Sequence, residues 1–167
     1  YTFTLQNALN KKFDIKAGSR ISWSGDPFEA TVNINAGYTQ MSSLAAALSN
    51  YNVGSVDTQG RDPLARRYPV EVLIALSGRL LTPQVSYSLA IKEAPASGNY
   101  RSAVAAFENR LKNDEQEMSR QVSSLLLFNQ LLSPSDMLMS SEGFLGNSVS
   151  ELIANQISSW ASAVDEN

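Results

Sequence analysis

The sequence contains no cysteine and no histidine. Without Cys there is no disulfide framework, no thiolate ligand and no thiol nucleophile. Without His the chain lacks the commonest general base and the commonest metal ligand. Together these absences exclude Ser-His and Cys-His nucleophile systems and most zinc sites. No apolar run approaches the ~18–20 residues that a bilayer-spanning helix needs, and no signal peptide opens the chain. No glycine-rich phosphate loop precedes a helix: "NAGYTQMSS" and "SGR" lack the spacing. A glycosidase-type pair would need two separated, buried acids, and nothing in the sequence marks them. Asp114, Glu115 and Glu117 read instead as a helix start favoured by the helix dipole. These absences point away from an enzyme, with no cofactor and no metal expected.

What is present is an ordinary globular composition. Of 167 residues 43% are hydrophobic, enough to build a core. The net charge of −3 argues against nucleic acid as a partner. The charge is unevenly placed. Residues 1–91 carry 8 Lys and Arg against 6 Asp and Glu, a balance of +2; residues 92–167 carry 5 against 10, a balance of −5. Two structurally different parts follow from this split.

The first part, residues 1–93, reads as β. In "YTFTL", Tyr1, Phe3 and Leu5 alternate with Thr, the period of a half-buried strand. Phe13 and Ile15, then Ile21 and Trp23, keep the same phase. "FEATVNINAGY" sets Phe28, Ala30, Val32, Ile34, Ala36 and Tyr38 on one face. Residues 39–67 break the pattern and read as a short helix and a long loop; the basic cluster Arg61, Arg66 and Arg67 reads first as solvated loop charge, with a site for an acidic partner or a lipid headgroup as the alternative. Alternation returns with Val70, Val72, Ile74 and Leu76, then with Val85, Tyr87, Leu89 and Ile91. "ISWSGDPFEATVNINA" and "IALSGRLLTPQVSYSLA" share one plan: a strand ending in Ser-Gly, a turn closing on Pro, another strand. Gly25 and Gly78 suit positive-φ turn positions. The expected fold is α+β, with a curved antiparallel or mixed sheet forming an open apolar groove. Its candidate lining is Phe28, Val32, Ile34, Val70, Val72, Ile74, Val85, Tyr87, Leu89 and Ile91.

The second part, residues 94–167, reads as helical after the linker "APASGN". Val104, Phe107 and Leu111 place a helix near 100–112. Asp114 with Glu117 gives a capping pattern for a second helix near 114–132, ended by Pro134. Ser148 with Glu151 caps a third near 148–163. "SSLLLFNQLL" is apolar on nearly every side, more than a single buried stripe requires. Leu127 and Phe128, with Met137, Met139, Phe144 and Leu145 from the following loop, are therefore candidates for contact with another protein. The strand pattern at Tyr1 and the helical pattern reaching Asn167 suggest a piece of a longer chain, with any anchor outside it.

"YPVEVLIALSGRLLTPQVSYSLAI" at 68–91, "DEQEMSRQVSSLLLF" at 114–128 and "NSVSELIANQISSW" at 147–160, in that order, resemble the C-terminal domain of the TamB family, the translocation and assembly module. The resemblance covers about residues 21 to 160, and "DEQEMSRQ" is most similar to the Bacteroidetes branch. It implies a non-enzymatic protein of the Gram-negative periplasm, anchored in the inner membrane, with a long β-taco-like apolar groove. It implies an Omp85-type outer-membrane barrel, TamA-like, as partner, and a phospholipid or an unfolded outer-membrane protein as cargo. The family continues past the last helix into terminal strands. A second reading is a structural domain whose helices dock on the barrel without carrying cargo; a third, a carrier of a soluble apolar ligand, needs a closed pocket.

Overall fold

A computed structural model describes residues 2–5, 11–53, 63–95, 98–139, 151 and 155. The strands are β1 (Thr2–Leu5), β2 (Lys11–Ile15), β3 (Arg20–Ser22), β4 (Thr31–Ser43), β5 (Arg67–Arg79) and β6 (Thr82–Ile91). The helices are α1 (Gly98–Asn113), α2 (Glu115–Phe128) and α3 (Pro134–Met139), with 3-10 turns at Pro27–Glu29 and Pro63–Ala65.

The strands form one sheet in the order β1-β2-β4-β5-β6, with β3 also paired to β4. β2 meets β4 at Ala36 and Gly37; β3 meets it lower down, with Ile21 opposite Val32. The end of β5 lies at the start of β4, where the Leu80 N–H donates to the Ala30 carbonyl at 2.8 Å. β5 and β6 are joined by Leu80 and Leu81 alone, and Lys92 N–H donates to Pro69 O at 3.0 Å. The sheet is antiparallel and not mixed: the registers of β1 with β2, β2 with β4 and β3 with β4 run in reverse, and β5 and β6 form a two-residue hairpin. It is open, as expected, and helices follow it. Both glycines take the positive φ that the sequence suggests, Gly25 at +90° and Gly78 at +93°, where a Cβ would be strained; Gly78, however, lies inside β5, and the turn that follows it is Leu80–Leu81.

Several elements differ from the sequence reading. The alternation starting at Phe28 overruns the strand, because Asp26 Oδ1 accepts the Phe28 N–H at 2.9 Å and turns Pro27–Glu29 into a 3-10 segment. β4 runs on past Tyr38 to Ser43, although Gln40 and Ser42 replace apolar residues on that face. A helix, α3, occupies residues 134–139, where a loop was expected. Of the helix expected near 148–163, only Glu151 and Asn155 are described, both helical; the rest lies outside the described residues.

The described residues form two compact units that interleave in sequence. One takes in residues 2–38 and 73–87, the other 39–72 and 88–139. β4, β5 and β6 supply residues to both.

In the first unit, Phe13, Val32, Ala36, Ile74 and Leu76 are buried on the apolar face of the strands. The Phe13 and Tyr38 rings sit 5.5 Å apart, with Lys11 Nζ 5.2 Å from the Tyr38 centroid. The β2–β3 turn is fastened to β4 through Ser19, whose Oγ donates to Lys16 O and accepts from Asn35 N–H. On the opposite face Gly37 leaves room for the Lys16 stem, which a Cβ would meet at 2.5 Å.

In the second unit the apolar face carries Val70, Val72, Leu89 and Ile91, all buried. Tyr100, Ala103, Val104, Phe107 and Leu111 form the buried stripe of α1 at i, i+3, i+4, i+7 and i+11. Met118, Val122, Leu125 and Leu126 do the same for α2, which packs on α1. Leu44, Leu48 and Leu64, from the segments between β4 and β5, complete this core. Each fully buried Leu contributes roughly 1.5–3 kcal/mol of transfer free energy. α1 also holds the end of β6: Glu108 Oε1 accepts the Ile91 N–H at 2.7 Å. Arg110 lies over the Tyr51 and Phe107 rings and pairs with Glu117 of α2.

Candidate functional site

Two features offer surface chemistry: the apolar sheet face and the C-terminal end of α2. The burial of the first varies along its length. Val70, Val72, Leu89 and Ile91 are buried in the second unit, where α1 and α2 add their own apolar stripes to the core. In the first unit Val32 and Ile74 are buried, while Ile34, Val85 and Tyr87 on the same face are half-buried. The hairpin register places Tyr87 across from Ile74 and Val85 across from Leu76. Exposure therefore rises from β5 toward β6, the last strand in the sheet order. Phe28 stands apart from this set, in the 3-10 turn, and is exposed.

The end of α2 is shaped by polar contacts. Its start is capped as the sequence indicates, with Asp114 Oδ1 accepting the Glu117 N–H at 2.9 Å. The reciprocal arm of a capping box is missing, because the Glu117 carboxylate pairs with Arg110 and the Asp114 N–H goes to Leu111 O. The helix stops at Phe128, short of Leu132. Asn129 adopts the left-handed conformation (φ 59°) and donates its N–H to Leu125 O. Residues 130–132 then fold back onto the helix. Gln121, with no exposed surface, holds both backbone groups of Leu132: its Nε2 donates to Leu132 O at 3.0 Å, and its Oε1 accepts the Leu132 N–H at 2.9 Å. Ser124 Oγ donates to Gln130 O at 2.9 Å. Leu131 is buried by this return. Leu125 and Leu126 are core, Leu127 is half-buried, and Phe128 is 53% exposed.

The sequence reading missed Gln121 and Ser124, which lie beside the apolar stripe of α2 and carry only a faint signal as polar residues within it. It also missed the exposed Leu81 of the β5–β6 turn. Met137 and Met139 belong to α3, but their side chains lie outside the described residues, as do Phe144, Leu145 and Arg61. Arg66 and Arg67 are exposed at the start of β5. Among the described residues no group of three or more His, Asp or Glu side chains could hold a metal ion. No helix among them is long and apolar enough to cross a membrane.

No curated protein and no solved structure matches the chain. A family model described as the TamB C-terminal domain matches residues 1–167, the whole length. The antiparallel open sheet and the helices after it agree with that match, and the chain belongs to the TamB family, a non-enzymatic translocation and assembly module of the Gram-negative envelope with a role in outer-membrane assembly.

Proposed function

We propose that this domain works in the periplasm as a non-catalytic conduit, receiving phospholipid acyl chains or an unfolded outer-membrane strand on its apolar sheet face. The observation that carries the reading is the exposure gradient on that face. Ile34, Val85 and Tyr87 are half-buried, whereas their neighbours Val32, Ile74 and Leu76 are core. Val85 and Tyr87 lie on β6, last in the sheet order, and an incompletely covered apolar stretch there can accept an apolar guest. On this reading Ile34, Val85 and Tyr87 are the accessible lining, with Ile74 as the packed floor beside them. The full-length protein, anchored in the inner membrane, would present this face along the path to the outer membrane.

The test is site-specific photo-crosslinking in cells. Probes at Ile34 and Tyr87 should capture lipid or nascent outer-membrane protein, and probes at Asn33 and Ser88, on the opposite face, should not. Equal capture from both faces would sink the reading.

Phe128 favours a second reading, in which the helices dock on an Omp85-type barrel without cargo. An aromatic ring 53% exposed at a helix end, beside half-buried Leu127, suits a protein contact. Phe128→Ser should leave thermal unfolding unchanged and weaken co-purification with the barrel, while capture at Ile34 and Tyr87 persists.

A further inference from the structure

Five large hydrophobic side chains are strongly exposed among the described residues, and three of them gather at one end of the first unit. Trp23 is 63% exposed, Phe28 42% and Leu81 41%. They come from two separate turns that the backbone brings to the start of β4. Ser22 pairs with Thr31, so Trp23 emerges beside Ala30. Phe28 lies two residues before Ala30, and the Leu80 N–H on Ala30 O brings Leu81 to the same place. Turn tips are ordinarily polar, because they face water. Here a Trp, a Phe and a Leu occupy them together.

We propose that this end of the sheet inserts into the surface of a lipid bilayer carrying anionic headgroups, with Trp23, Phe28 and Leu81 at the level of the upper acyl chains. Trp favours the bilayer interface over both water and hydrocarbon, since its ring is apolar and its N–H needs a partner. Two cations flank the tips. Arg20, at the start of β3, and Arg79, at the end of β5, are both exposed and outside the ion pairs of the described residues. Each has a stem long enough to keep its guanidinium at a phosphate while the turn inserts. Asp26 and Glu29 are also at this end and oppose the attraction. Asp26 is partly engaged, accepting the Phe28 N–H. The proposal does not depend on the domain carrying lipid, so its test measures binding and not transport.

The full 167-residue chain with Trp160→Phe keeps Trp23 as the only indole. With vesicles of phosphatidylcholine and phosphatidylglycerol, its emission should shift to the blue and be quenched by acyl-chain bromines. In the chain retaining Trp160, Trp23→Ala and Leu81→Ser should each weaken vesicle co-sedimentation by about tenfold or more, with unchanged thermal unfolding. Arg20→Glu with Arg79→Glu should remove the preference for phosphatidylglycerol. Failure to bind vesicles overturns the proposal. So does binding that leaves Trp23 emission unshifted, or that ignores all four substitutions. Capture of a protein by a photo-probe at position 23, without vesicle binding, would assign the tips to a protein partner instead.

Discussion

Ile74→Arg separates the packed part of the apolar face from the accessible part. Ile74 is 4% exposed on β5, with strands on both sides. The substitution removes roughly 1.5–3 kcal/mol of apolar burial. It also places a guanidinium where no acid shares the face, since Val70, Val72 and Leu76 are its nearest same-face neighbours on the strand. An unpaired buried charge costs several kcal/mol even after the stem bends toward water. The combined loss, about 3–5 kcal/mol, is a large share of the ~5–15 kcal/mol that holds a typical domain. Val85→Arg is the matched control. It lies on the same face but is half-buried, so its arginine can reach solvent at a cost of about 1 kcal/mol. Urea unfolding followed by circular dichroism should place the Ile74→Arg midpoint far below wild type and the Val85→Arg midpoint close to it. Equal midpoints would refute the gradient, and with it the argument that Val85 and Tyr87 are accessible while Ile74 is floor. If Val85→Arg stays folded and photo-capture at Tyr87 disappears, the flank of β6 is where the guest lies.

Gln121→Leu keeps the volume but strands both backbone groups of Leu132, which should cost about 2–4 kcal/mol; limited proteolysis should then cut within residues 129–133, and an uncut variant of wild-type stability would show that the return segment is held by Leu131 alone. Asp114→Ala should lower stability by about 1 kcal/mol, with Asp114→Ser nearly neutral, because either oxygen can accept the Glu117 N–H; matching urea midpoints for Ala and wild type would mean that the cap contributes nothing.

The strands, the positive-φ glycines at 25 and 78 and the start of α2 were legible because each rests on local chemistry: period-two alternation, a residue free to take positive φ, and a carboxylate three residues before an N–H. The errors have separate causes. Where α2 stops is decided by Gln121 and Ser124 reaching residues six to eleven positions ahead, and hydrophobic periodicity carries no trace of such bonds. β4 continues through Gln40 and Ser42 because its partner strand continues beside it, whatever the polarity of that stretch. Phe28 fits the alternation but belongs to a turn, since Asp26 offers the backbone a competing acceptor. For the candidate site, the sequence shows which residues share a face, but not which of them are sealed. Sealing depends on what packs over each residue, which no strand pattern encodes.

Because β4, β5 and β6 contribute to both compact units, their register is a shared constraint. Adding one residue within β4 would send every side chain beyond it to the opposite face. Val32 and Ala36 could keep their places only if the residues after the insertion turned theirs over, so an error arising in one unit would be carried into the other. Insertions of two residues restore the alternation and change only the length. A ladder built this way can grow in steps of two without its two faces exchanging roles.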